Sequence, residues 1–284
     1  MVDKFWLTGP AGSRRRRGAA LGAASTALVG LGPVASASAG TLLPERGGSP
    51  NADRIASLYA VVLVLAALVF LGVVVALVYA LRRYGERRNP VAAQVRGNHR
   101  LEIGWTVAAA GLIVVIAAYS LTQLHPIDHP DPAAASPAAV SAGVVPAGTD
   151  KALHIEVVGR QYIWMYRYPG GAYSYEEMVA PVGVTVKLDI TSVDVAHSWW
   201  IPKLGGKFDA IPGYVNHTWF RLPRTGVFRG QCAELCGRNH ADMLARVRGV
   251  SPADYAAWLK QRKRSIQAAD AAARTPPPSP AAGG

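Results

Sequence analysis

Charge is scarce in this chain, and acidic charge is scarcest. Only 17% of the 284 residues are charged, with 18 Asp and Glu against 30 Lys and Arg, for a formal net charge of +12. An ordinary soluble domain carries about 25% charged residues. With half of the residues hydrophobic, the shortage argues against a single soluble globule. Cysteine is nearly absent: Cys232 and Cys236 are the only two, which excludes a scaffold stapled by several disulfides. No internal repeat is visible. Nor does the positive charge gather in one place: residues 1–40, 41–125 and 150–262 each carry +4. Nucleic-acid binding therefore has no basic patch to rest on.

What is present falls into segments. Arg14 to Arg17 precede a weakly apolar Ala/Gly/Leu/Val stretch and then Ala35-Ser36-Ala37-Ser38-Ala39. This is the anatomy of a secretory signal peptide over residues 1–39, with a disordered basic tail as the alternative. From Leu58 to Leu81 there is no charge in 24 positions, about 36 Å of helix and enough to span a bilayer. A second uncharged run, Ile103 to Leu124, begins directly after Glu102. A transmembrane hairpin over 54–125 is expected. Its connection holds Arg82, Arg83, Arg87, Arg88, Arg96 and Arg100 against the single acid Glu86, which keeps such a loop cytoplasmic. Both mature termini then face the periplasmic side of a bacterial inner (plasma) membrane, the same orientation that the signal peptide implies.

Residues 126–149 are Pro/Ala/Gly/Ser-rich and read as a linker, and residues 266–284 read as a disordered tail. The folded exported domain is about 150–262. Alternating runs such as His154-Ile-Glu-Val-Val158 and Val184-Thr-Val-Lys-Leu-Asp-Ile-Thr191, separated by Pro and Gly, predict a small antiparallel sandwich or barrel. Asp254 to Arg264 is expected to close the domain as a short helix.

Residues 231–243 read Gln-Cys-Ala-Glu-Leu-Cys-Gly-Arg-Asn-His-Ala-Asp-Met, and His197 lies 35 residues before Cys232. Cys232, Cys236, His240, Met243 and His197 are soft or borderline donors that together select copper over hard cations. Zinc accepts two thiolates and two imidazoles, but structural zinc has no use for the methionine. His197, one cysteine, His240 and Met243 would satisfy a mononuclear blue-copper site, so the second thiolate is a surplus. Two thiolates four residues apart on one loop can bridge two copper ions, each capped by one histidine. Met243 would be the weak ligand of one copper and a backbone carbonyl of the loop that of the other. Sharing the redox change over two metals and two sulfurs keeps reorganisation small, which suits an electron relay with no open position for substrate. A Cys232–Cys236 disulfide is the alternative in an oxidising compartment, but it leaves His240 and Met243 unexplained. His217 reads as a packed polar residue.

Residues 54–262 closely resemble subunit II of heme-copper cytochrome c oxidases, which carries the binuclear copper centre called CuA. The specific pieces are Gly230-Gln-Cys-Ala-Glu-Leu-Cys-Gly237, Asp194-Val-Ala-His-Ser-Trp-Trp-Ile-Pro202 and Lys207-Phe-Asp-Ala-Ile-Pro-Gly213. The resemblance implies a two-helix transmembrane hairpin followed by an all-β cupredoxin-like Greek-key domain. It implies Cys232 and Cys236 as bridging ligands, His197 and His240 as terminal ligands, Met243 as a weak ligand, and Glu234 through its backbone carbonyl. The Glu234 side chain matches the family's ligand to a magnesium or manganese ion at the boundary with subunit I, though it reads equally as a solvated loop acid. Glu102, in Leu101-Glu-Ile-Gly-Trp-Thr106, matches an acid at the mouth of a proton-uptake channel, or is simply a carboxylate favoured at a helix N-terminus.

The implied partners are a subunit I bearing hemes and copper, a subunit III, and a periplasmic donor such as a cytochrome c. Asp194 matches an acid near the donor-docking face. In Gln161-Tyr-Ile-Trp-Met-Tyr-Arg-Tyr-Pro169, Tyr162 stands where many relatives have the tryptophan that receives electrons, and Arg167 where many have a docking glutamate. Trp164 matches a nearby family aromatic or is core. The resemblance thus implies that electrons pass from the donor through copper to heme, for oxygen reduction coupled to proton translocation. A membrane-anchored copper-delivery protein is the competing function. A quinol oxidase subunit would lack the copper ligands, and a nitrous oxide reductase would need a catalytic domain for which this chain has no room.

Overall fold

The computed structural model describes residues 43–91, 93–130, 135–145 and 151–274. The signal peptide expected over 1–39 lies outside the described residues. Two long helices come first, α1 (Pro50–Arg83) and α2 (His99–Asp128), and each contains one of the expected spans. Pro50 opens α1, and the Asn98 side chain caps α2 by accepting from the Leu101 N–H at 3.2 Å. Both helices are long and apolar enough to cross a membrane, and their apolar windows are unburied within the chain. That surface needs lipid or another subunit to cover it.

The β domain has ten strands: β1 (Leu153–Arg160), β2 (Ile163–Arg167), β3 (Tyr173–Tyr175), β4 (Glu177–Pro181), β5 (Thr185–Ser192), β6 (His197–Trp200), β7 (Phe208–Ala210), β8 (Asn216–Arg221), β9 (Gly226–Cys232) and β10 (Leu244–Val250). They form two five-stranded sheets, β3-β2-β1-β5-β8 and β4-β10-β9-β6-β7. In β5 the alternation places Val186, Leu188 and Ile190 inward, all fully buried. The expected antiparallel sandwich or barrel is corrected at two pairings, because β1 pairs with β5 and β4 with β10 in parallel. The chain leaves one sheet for the other before returning, and such a long connection permits parallel neighbours.

Two further expectations are corrected. In the supposed linker, α2 continues to Asp128, and a short helix α3 (Pro137–Ser141) forms, with Ala139 and Val145 buried against the domain. Ser136 starts it by accepting from the Ala139 N–H at 3.3 Å, ahead of Pro137. The closing helix, α4, runs Pro252–Arg274, so 266–274 is helical and not a tail. Its Ala, Lys, Arg and Gln content favours helix, and Ile266 packs on the core. Residues 275–284 lie outside the described residues.

Tyr255 and Trp258 of α4 meet Tyr168 in an aromatic cluster, with the Tyr168 and Trp258 ring centroids 5.0 Å apart. Burial holds the Tyr166 and Tyr255 hydroxyls well above their ordinary range and pushes Tyr168 up to about 12. Above about pH 10 the unfolded chain releases these protons while the folded chain keeps them, so stability falls as pH rises. Denaturant midpoints of the purified chain are expected to drop between pH 9 and 11, roughly the range where free tyrosine ionises; a flat profile would contradict this burial.

Both ends of the hairpin grip one strand. The Trp219 carbonyl on β8 accepts from Asn51 Nδ2 at 2.7 Å, and its indole N–H donates to the Ile127 carbonyl at 2.8 Å. The Arg221 N–H donates to Ser49 Oγ at 3.2 Å. Ser49 and Asn51 are buried, so the start of α1 and the end of α2 fix the β domain to the helices.

Candidate metal centre

β6 and β9 are antiparallel neighbours, with Trp199 opposite Cys232. That register brings His197 beside Cys232 at the end of β9 despite a separation of 35 residues in sequence. Beyond Cys232 the chain loops through 233–243 and returns as β10. The Cys232 N–H donates to the Met243 carbonyl at 2.9 Å, and the Ala233 N–H to the Ser198 carbonyl at 2.9 Å, which pins both ends of the loop.

The loop gathers the donors around two sulfurs. Cys232 Sγ lies 4.0 Å from Cys236 Sγ, 3.9 Å from His197 Nδ1 and 3.3 Å from the Glu234 carbonyl oxygen. Cys236 Sγ lies 3.6 Å from His240 Nδ1 and 3.9 Å from Met243 Sδ. His197 and Met243 are fully buried, and both cysteines are buried and unpaired. His197, Cys232 and Cys236 alone suffice as a group able to hold a metal ion.

The donor set fits a metal. A metal–thiolate bond is about 2.3 Å and a metal–imidazole bond about 2.0 Å. Sulfurs 4.0 Å apart and nitrogens 3.6 to 3.9 Å from sulfur therefore lie within reach of a shared ion. Burial works to raise the Cys232 thiol, but the His197 ring, hydrogen bonds to the Ser198 and Glu234 backbone, and His240 draw it down to about 6. Burial and the adjacent Cys232 thiolate push Cys236 up to about 11. The two thiols are pushed in opposite directions, and a bound cation, which takes both as thiolates, displaces the thiol proton that remains.

The surroundings orient the ligands. His197 Nε2 is 2.9 Å from Asp194 Oδ1; an ionised carboxylate only accepts, so Nε2 carries the hydrogen and Nδ1 is free to ligate. Partial burial opposes the charge on Asp194, but the Gln161 N–H, the His197 ring and the Val195 N–H hold its pKa down at about 2. Gly159 makes room for the imidazole: a Cβ there would lie 2.9 Å from His197 Cδ2.

The remaining candidates separate. Trp164, considered at the electron-receiving face, is fully buried with its ring 5.9 Å from that of His197, centroid to centroid. It is a core residue beneath the site and out of reach of a docking partner. Tyr162 is half-buried at the rim, where a Cβ on Gly237 would come 2.6 Å from its hydroxyl. Arg167 is exposed at the other end of the β1–β2 hairpin and pairs with Glu156 at 3.0 Å. Asp194 is committed to His197 and backbone N–H groups. The Glu234 side chain is exposed on the loop. Glu102 sits in the first turn of α2, 3.0 Å from His99 Nδ1, about 39 Å along that helix from its β-domain end. The sequence reading missed Gly159 and Gln161, whose amide donates to the Cys236 carbonyl at 2.5 Å.

Two family models match the chain: cytochrome c oxidase subunit II, transmembrane domain, over residues 37–123, and its periplasmic domain over residues 172–250. The cytochrome c oxidase subunit 2 of Cereibacter sphaeroides is 32% identical over 266 residues, covering 78% of this chain and 82% of the relative. The chain belongs to the cytochrome c oxidase subunit II family. The Zea mays cytochrome c oxidase subunit 2 is 31% identical over 213 residues, 66% of this chain and 75% of the relative. Among solved structures, the periplasmic domain of subunit II of cytochrome oxidase from Bradyrhizobium japonicum is 37% identical, covering 40% of this chain and 94% of that one, with a TM-score of 0.39. The family's periplasmic-domain match falls within the two-sheet domain, and its transmembrane match falls on the α1–α2 hairpin. The chain is thus a membrane protein and a member of an oxidoreductase assembly.

Proposed function

We propose that the centre holds two copper ions permanently and receives electrons from a periplasmic donor for delivery to heme in subunit I. Cys232, Cys236, His197 and His240 would hold the coppers, with Met243 and the Glu234 carbonyl as weaker ligands. The observation that carries this reading is the convergence of all six donors on two sulfurs 4.0 Å apart. Copper supplies a one-electron couple. The chain's own residues hold the ligands rigid, exclude water by burial, and orient His197 through Asp194. A copper-delivery role suits a buried set of this size poorly, because handing a metal on needs open, exchangeable positions.

The arginine-rich connection between the helices orients the hairpin, so the β domain stands on the outer face of the bacterial inner membrane. In the assembly, oxygen reduction and proton translocation belong to subunit I. Glu102 lies on the cytoplasmic side in this orientation, suited to receiving protons, and the exposed Glu234 carboxylate is suited to a magnesium or manganese ion at the subunit I boundary. Subunit III completes the expected partners. The donor, a cytochrome c or a similar carrier, approaches at Tyr162. With the Asp194 carboxylate already committed to His197 and to backbone N–H groups, this face suits a donor less basic than usual. Metal analysis of the purified chain after copper loading is expected to give two coppers per chain; one or none rejects the reading.

A further inference from the structure

The donors come from two places that no single strand joins. His197 begins β6, whereas Cys236 sits on the 233–243 loop. Gln161 touches the supports of both. Its side-chain amide donates to the Cys236 carbonyl at 2.5 Å, and its backbone N–H donates to Asp194 Oδ2 at 2.8 Å. The other oxygen of that carboxylate accepts from His197 Nε2 at 2.9 Å. The path from His197 through Asp194 and Gln161 to Cys236 is unbroken. It is anchored on the β1–β2 hairpin, which belongs to the opposite sheet. Among the described residues, apart from Cys232, no other side chain outside the loop bonds to the loop backbone between 233 and 242.

We propose that Gln161 is a positioning residue of the metal centre, bracing the His197 side of the donor set against the Cys236 side. It touches no donor atom and acts through the Cys236 carbonyl and the Asp194 carboxylate. The two halves of the brace differ. The half to Asp194 runs through backbone and survives any substitution at 161 except proline, whereas the half to Cys236 depends on the side-chain amide. Gly237 lets the brace close: its φ is +132°, and a Cβ there would lie 2.9 Å from Gln161 Nε2. A residue with a side chain would be strained in that conformation and would push the amide away from the loop. Cys236 shares the loop with His240 and Met243, so a loop freed at its Cys236 carbonyl shifts three donors relative to His197. Outer-shell partners of this kind are worth about 10- to 100-fold in metal affinity.

The inference rests on the copper reading, but its test is separable from it. Gln161→Met keeps the length of the side chain and removes the donor. In the full-length chain, this variant is expected to lose copper affinity by about 10- to 100-fold in a chelator competition and to change the copper hyperfine splitting. In the metal-free variant, amide hydrogen exchange is expected to speed up over 233–240 and to stay unchanged in β1, β5 and β10. Unchanged affinity together with unchanged loop exchange overturns the brace. If the unmodified chain takes up no copper, the copper reading fails, and the metal-free exchange comparison still decides the role of Gln161. Should Gln161→Met not fold, exchange of the Gln161 side-chain amide protons in the unmodified metal-free chain decides. Slowed exchange supports the brace, and exchange at the rate of a free side-chain amide overturns it.

Discussion

A Cys236→Ser chain is expected to lose the two-copper centre outright and to stop passing electrons to subunit I in the assembled oxidase. Cys236 is the residue on which the loop converges: its sulfur lies 4.0 Å from Cys232 Sγ, 3.6 Å from His240 Nδ1 and 3.9 Å from Met243 Sδ. A serine hydroxyl is a hard donor that stays protonated near neutrality, so it cannot bridge two soft ions. Loss of an outer-shell partner already costs about 10- to 100-fold in affinity, and loss of a bridging ligand is expected to cost more than about 100-fold. Fold need not suffer, because Cys236 lies on a loop and serine is close to it in volume. The checks are copper content, oxidase turnover and thermal unfolding. Full turnover in Cys236→Ser would refute the ligand assignment.

Gly159→Val is expected to damage stability and site together. A Cβ at 159 would lie 2.9 Å from His197 Cδ2, 3.1 Å from Trp164 Cζ3 and 3.2 Å from His197 Cγ. His197 and Trp164 are both fully buried, and neither can swing into solvent. Overpacking a closed core costs about 1–3 kcal/mol, and here relief comes most directly by moving the imidazole off its line to Asp194. Gly159→Val should therefore lower the denaturant midpoint and weaken copper binding, with Gly159→Ala milder on both counts. A valine variant with unchanged midpoint and copper content would show that the ring has room the packing denies it.

The hairpin and the metal loop were readable because their signals are local. Twenty-four uncharged positions state a membrane span without reference to anything else, and five of the six donors lie within residues 232–243. Gln161 and Gly159 could not be found this way. Gln161 meets Cys236 across 75 positions, and Gly159 matters only because β1 and β6 face each other across the domain. For Trp164 the sequence leaves a docking aromatic and a core residue both open, since an aromatic motif does not say which residues face inward. The alternation in β2, with Trp164 and Tyr166 buried and Arg167 exposed, settles that. The Ala-rich stretch after Arg264 has a composition common to tails and helices, and the contact of Ile266 with the core accounts for its helix. Parallel pairing of β1 with β5 reflects chain routing, which strand periodicity does not encode.

The central claim is that the loop of Cys232 and Cys236 holds a pair of coppers sharing one unpaired electron. Electron paramagnetic resonance of the copper-loaded, partly oxidised full-length chain tests it most directly. The account predicts hyperfine splitting from two equivalent copper nuclei, lost in Cys232→Ser and Cys236→Ser; a spectrum from a single copper nucleus would contradict it.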